Sequence, residues 1–174
     1  MKRILLFIAG TLALASCETK QKPSDRVNPY TDTIDVEAKT IVKYQDEGNG
    51  KTLTVWLNGI PFNTVWDTGA SMTLISMHEL ETLDKHGKIK LSDWTGLKSF
   101  SMADGSETYG PKFNIKELYI KGQDERHSIR LTDIEVTVSL NPVAPLLLGM
   151  DVIGRLGNYT DNQDKQQLEI ETVQ

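Results

Sequence analysis

From Thr40 onward the apolar residues fall mainly in short runs spaced for strands rather than helices. Thr40–Tyr44 is the first such run, followed by the turn cluster Asp46-Glu47-Gly48-Asn49-Gly50. Thr52–Leu57 alternates, with Leu53, Val55 and Leu57 on one face and Trp56 on the other. Asn58-Gly59 is a strong hairpin signal, and it leads into the β-type run Phe62–Trp66. That run breaks at Asp67-Thr68-Gly69-Ala70 and resumes at Met72–Ser76. Met77–His86 has the spacing of a helix, with Leu80 and Leu83 on one face and Gly87 as a stop. Ser99–Met102 and Glu107–Tyr109 flank a second hairpin tip, Ala103-Asp104-Gly105-Ser106. Phe113–Lys121 and Ser128–Leu140 predict two longer strands, Gly149–Leu156 a short helix, and Leu168–Val173 a closing strand. The pattern predicts an all-β domain with two short helices.

The first 37 residues have a different pattern. Lys2 and Arg3 precede an almost unbroken apolar stretch, Ile4–Ala15, too short for a stable membrane-spanning helix and suited to an export signal over residues 1–16. Leu14-Ala15-Ser16 ends at Cys17, the only cysteine of the chain, and Leu-Ala-Ser-Cys resembles the bacterial lipobox, in which the cysteine is acylated. The ordinary alternative is a cleaved signal with an incidental cysteine. With Cys17 modified, neither a disulfide nor a thiol nucleophile remains. Residues 17–37 are polar, with Pro23 and Pro29, and read as a flexible tether to a membrane; an arm packed on the domain is the alternative for Ile34–Ala38. The domain proper is then 38–174, long enough for one real core. Lys2 and Arg3 are the only charges before Cys17, so the remainder carries −7 where the whole chain carries −5. An acidic chain with no basic cluster argues against nucleic acid and against charge-driven binding to anionic lipid.

The chemistry concentrates where the two β-type runs meet. Asp67, Thr68 and Gly69 place a carboxylate, a hydroxyl and a glycine at a strand end, and the glycine is expected to allow backbone angles that a side chain would forbid. As a bare tripeptide this is ordinary turn composition. Together with Pro145-Leu146-Leu147-Leu148-Gly149-Met150-Asp151-Val152-Ile153-Gly154, the stretch Val65–Ser71 resembles the paired signatures of retropepsin-like aspartic proteases, over about Thr40–Gln174. The resemblance implies a closed acid-protease lobe with one or two short helices. It makes Asp67 the catalytic carboxylate and gives Thr68, Gly69, Ala70 and Ser71 the support of its loop. Leu147, Leu148 and Gly149 become the segment passing behind that loop, and Ala103, Asp104, Gly105 and Ser106 the flap over a peptide. Departures are Trp66 directly before the Asp, the charge of Asp104 in the flap, and the long polar stretch His78–Leu97.

A single Asp-Thr-Gly in a chain with room for one lobe implies a homodimer for activity. Two like charges in close contact push their titrations apart, so one carboxyl is ionised and the other protonated. The two loops, and interleaved terminal strands such as Leu168–Val173, are the expected contacts. The reading is an exported, lipid-anchored bacterial-envelope endopeptidase acting on peptide or protein without a cofactor. Its rivals are a non-catalytic peptide-binding or dimerisation module of the same fold, and a lobe that pairs with a different protein. No metal is expected, since His78, His86 and His127 lack ligand spacing. Ser71 and Ser76 lack a nucleophile elbow, and Asp151 reads as a structural cap on the last helix. Trp56, Trp66 and Trp94 are divided between a peptide groove and ordinary core or dimer contacts.

Overall fold

A computed structural model describes residues 33–34, 39–46, 48, 50–101, 105–124 and 127–171. The export signal, Cys17 and most of the tether lie outside the described residues. Within the stretch read as a tether, Thr33–Ile34 forms a short strand, β1, paired with Ile129 and Arg130.

The strands follow the alternation closely. β2 is Thr40–Lys43, β3 Gln45–Asp46, β4 Lys51–Leu57 and β5 Ile60–Trp66. Asn58 (φ 49°) and Gly59 (φ 83°) join β4 to β5, both in the left-handed region that a tight hairpin of this type demands. β6, Leu74–Ser76, runs straight into α1, Met77–Lys85. That helix starts where the sequence says because Ser76 and Glu79 cap it reciprocally: the Ser76 hydroxyl accepts from the His78 amide at 3.1 Å, and the Glu79 carboxylate accepts from the Ser76 amide at 2.7 Å. Leu80 and Leu83 are its buried face. β7 is Trp94–Ser101 and β8 Glu107–Lys121; β9 is Ser128–Ser139 and β10 Leu147–Leu148. α2, Met150–Ile153, is followed by β11, Asn158–Asn162, and β12, Gln167–Glu171.

One long sheet closes on itself. Its order β9-β6-β10-β5-β4-β8 is completed by pairing of β8 back to β9, with β1, β3 and β7 attached outside the ring. The alternate residues Val55, Leu57, Phe113, Ile115, Leu131 and Val138 fill the inside and are almost wholly buried. This is the closed all-β lobe expected, with two short helices.

Three local expectations need correction. Glu107–Tyr109 and Phe113–Lys121 are one strand, because Gly110 and Pro111 continue the ladder opposite Lys98 and Leu97. Gly110 is needed there because a Cβ would lie 2.1 Å from the Val138 carbonyl oxygen. β11 was not anticipated; its sequence Asn-Tyr-Thr-Asp-Asn has one apolar residue, and the strand exists because it pairs along its whole length with β12. Finally, β12 does not stand free to interleave with another subunit. It is the middle strand of a separate three-stranded sheet, β11-β12-β2, so both its backbone edges are already bonded within the chain.

Candidate active site

β5 delivers Asp67 to a sharp turn in which the Ala70 amide bonds back to the Asp67 carbonyl at 3.3 Å. The carboxylate is half-buried. Its Oδ1 accepts from the Gly69 amide at 2.8 Å and from the Ala70 amide at 3.2 Å. Among the described residues, Oδ2 has no partner. One oxygen is therefore fixed by the loop's own backbone and the other is open. Gly69 does not adopt a positive φ, and a Cβ on it would stand 3.2 Å from Asp67 Oδ1, a tight contact that is relieved only by a small shift of the carboxylate. The expectation that this glycine relieves a forbidden backbone angle is corrected accordingly. Thr68 and Ser71 are exposed, while Ala70 is half-buried.

Leu147-Leu148-Gly149 lies behind this turn. β10 is wedged between the strand leading into Asp67 and the strand leading out, parallel to β5 (Leu147 opposite Val65, Leu148 opposite Trp66) and antiparallel to β6. The Val65 amide donates to the Leu146 carbonyl at 2.9 Å, the Asp67 amide to Leu148 at 3.1 Å, and the Met150 amide to the Ala70 carbonyl at 2.8 Å. The buried Thr64 hydroxyl also donates to the Leu146 carbonyl, at 3.1 Å. Gly149 touches the outgoing backbone so closely that a Cβ would lie 2.3 Å from the Met72 carbonyl carbon.

A second carboxylate supports the turn from below. Asp151 accepts from the Thr73 amide at 3.0 Å and from the Thr73 hydroxyl at 2.8 Å, and that hydroxyl accepts from the Gly149 amide at 3.2 Å. Burial raises the Asp151 pKa, and the hydrogen bonds from Thr73 and the Val152 amide pull against it. Asp151, expected to cap the last helix, instead cross-links α2 to the strand leaving the loop through Thr73. The role of Thr73 was missed; nothing around it in sequence distinguishes it from any strand threonine.

The hairpin β7–β8 is the element the resemblance makes a flap. Ala103 and Asp104 lie outside the described residues. Gly105, with φ 82°, and Ser106 are exposed at its end. Trp66 is buried and meets Tyr159 of β11 edge-on, ring centroids 5.1 Å apart. Trp56 packs edge-on against Tyr119, and Trp94 is exposed at the start of β7. His127 pairs with Asp124 and His86 with the Thr82 carbonyl.

A closed β lobe with an Asp-Thr-Gly turn braced by a hydrophobic-Gly strand defines an aspartic protease lobe. The aspartyl protease family model matches residues 53–152, and the chain belongs to that family. Among solved structures it is similar to a retropepsin-like aspartic protease from Rickettsia conorii, with a TM-score of 0.53 at 17% identity, over 82% of this chain and 96% of that one. The fold is retropepsin-like. No protein with a curated description matches the sequence.

Proposed function

We propose that the chain is an aspartic endopeptidase that works as a homodimer, with one Asp67 from each subunit flanking a water. The observation that supports this best is the asymmetry at Asp67, whose Oδ1 is held by two amides while Oδ2 is left open at a half-buried position. Two such carboxylates facing each other cannot both ionise easily and share one proton. The ionised member takes a proton from the water as its oxygen attacks the peptide carbonyl carbon. The protonated member donates to the carbonyl oxygen. The tetrahedral product collapses when the C–N bond breaks and the leaving amine takes up a proton. Thr68 would bond across the axis, and the β7–β8 hairpin would cover the peptide. Cys17 would carry lipid and hold the domain at the bacterial envelope.

The test is Asp67→Asn, which keeps shape and loses the titrating group. Cleavage of a casein-type substrate should fall at least about 100-fold, with the unfolding midpoint close to the parent's. Parental activity should trace a bell-shaped pH curve that belongs to the pair. An Asn variant that digests at the parental rate would refute the catalytic assignment and leave a peptide-binding or dimerisation module.

A further inference from the structure

We propose that Trp66 is a positioning residue for the Asp67 carboxylate, its indole held in the working orientation by Tyr159 and the Lys51–Asp161 pair. The effect on rate rests on the protease reading; the contacts themselves are independent of it.

Trp66 is the last residue of β5, one peptide bond from Asp67. Its indole lies in the core, 7% exposed, whereas the Asp67 carboxylate is bonded within the turn by the Gly69 and Ala70 amides. The indole therefore acts on the carboxylate through the planar peptide between the two residues, which passes a rotation from one Cα to the next with little give. The Leu148 carbonyl already holds the Asp67 amide at 3.1 Å. A single hydrogen bond leaves a strand end free to tilt about it, and a large ring wedged among neighbouring strands takes up that freedom. Trp66 is one of the departures from the family pattern, so its seat has to be built by residues of this chain.

β4 and β11 build that seat together. The Tyr159 ring of β11 meets the indole edge-on, with centroids 5.1 Å apart and planes at 78°. In this geometry the positive edge of one ring faces the negative face of the other. Lys51 of β4 stands directly opposite Trp66 in the β4–β5 ladder. Its ammonium reaches β11 and pairs with Asp161 at 2.9 Å. Asp161 is two residues beyond Tyr159 and so on the same side of the strand. One strand thus holds the end of β5 at two points, by a ring on Trp66 and by a carboxylate on the ladder partner of Trp66. The Tyr44 hydroxyl donates to the other Asp161 oxygen at 2.8 Å, and Lys51 Nζ lies 5.8 Å over the Tyr44 ring. The Asp161 carboxylate is fixed from two directions, which a loose surface ion pair is not. Misplacing a catalytic group by about 1 Å costs about 100-fold in rate, so loosening this seat should appear in turnover rather than in substrate binding.

The experiment uses the full chain at concentrations where activity per subunit has reached its plateau, so that assembly does not limit the rate. Tyr159→Leu keeps an apolar side chain and loses the ring contact; kcat on a peptide substrate should fall at least about tenfold with KM within about twofold. Tyr159→Phe keeps the ring and should restore kcat to within about twofold. Asp161→Asn keeps the shape and removes the charge that Lys51 pairs with; kcat should fall at least about threefold with KM unchanged. In amide NMR spectra the Gly69 and Ala70 resonances, whose N–H groups bond Asp67 Oδ1, should shift in Tyr159→Leu and return in Tyr159→Phe, whether or not the protein cleaves anything. A purely structural role would lower the unfolding midpoint and leave kcat per folded molecule and both amides as in the parent, and that result overturns the proposal. A Tyr159→Phe protein as slow as Tyr159→Leu also overturns it. If Tyr159→Leu does not fold, Asp161→Asn decides: parental kcat with parental amide shifts overturns the proposal. A parent that cleaves nothing while the two amides respond removes the protease and keeps the positioning role. A cleaving parent whose kcat and amides ignore both substitutions removes the positioning role and keeps the protease.

Discussion

Replacing Gly149 by alanine tests how the Asp67 turn is held. The added Cβ would stand 2.3 Å from the Met72 carbonyl carbon, 2.4 Å from its oxygen and 2.9 Å from its Cα. All three neighbours are backbone, so no rotamer change relieves the clash. Either Met72 or the β10–α2 junction must retreat. Retreat loosens the Asp67 amide from the Leu148 carbonyl and the Met150 amide from the Ala70 carbonyl. Over-packing typically costs about 1–3 kcal/mol, and each lost backbone bond about 0.5–1.5 kcal/mol net. With two bonds lost the expected destabilisation is about 2–6 kcal/mol, a large share of the ~5–15 kcal/mol that holds a domain folded. Urea unfolding followed by tryptophan fluorescence measures it, with the buried Trp66 next to the affected strand as reporter. Gly69→Ala is the contrast: one contact at 3.2 Å with a side-chain oxygen that can shift. It should cost less than about 1 kcal/mol while displacing the carboxylate. A Gly149→Ala protein within about 1 kcal/mol of the parent would refute the claim that this strand braces the turn by close backbone contact.

Thr73→Val removes a hydroxyl that donates to Asp151 and accepts from the Gly149 amide. It should destabilise by about 1–3 kcal/mol, and a Thr73→Ser variant that restores stability would attribute the loss to the hydroxyl. On the alkaline side, burial and then the hydrogen bond to Asp161 push Tyr44 up to about 12. A raised pKa means the folded state holds its proton more tightly, so this contribution is complete below about pH 10 and is lost as pH rises toward 12. Tyr44→Phe should flatten that decline in urea midpoints measured across the window; an unchanged slope would refute it. For the envelope anchor, the chain should partition into detergent and label with a fatty-acid analogue. Cys17→Ala should do neither, and a membrane-bound Cys17→Ala protein would refute lipidation there.

Local signals made much of this molecule legible. Asn58-Gly59, the Leu80–Leu83 spacing ahead of Gly87 and the alternation of Leu53, Val55 and Leu57 act between residues close in sequence, so their outcome hardly depends on the rest of the chain. Asp67-Thr68-Gly69 and Leu147-Leu148-Gly149 were legible as a pair, and only because each has a recognisable motif. What holds them depended on long-range geometry. The Asp151–Thr73 contact joins residues 78 apart, and neither side chain is unusual until β10 has been inserted between β5 and β6. The tight contact at Gly69 and the space requirement at Gly149 are likewise invisible until a carboxylate and a distant carbonyl arrive beside them. β11 is the plainest case: Asn158, Thr160, Asp161 and Asn162 carry no strand pattern of their own. Pairing with β12 and the packing of Tyr159 on Trp66 impose it. The same assembly puts β12 in the middle of its sheet, because β2, from the opposite end of the domain, takes its other edge. Which strand ends up in the middle of a sheet is decided by which distant strands reach its two edges, and no local stretch of sequence holds that information.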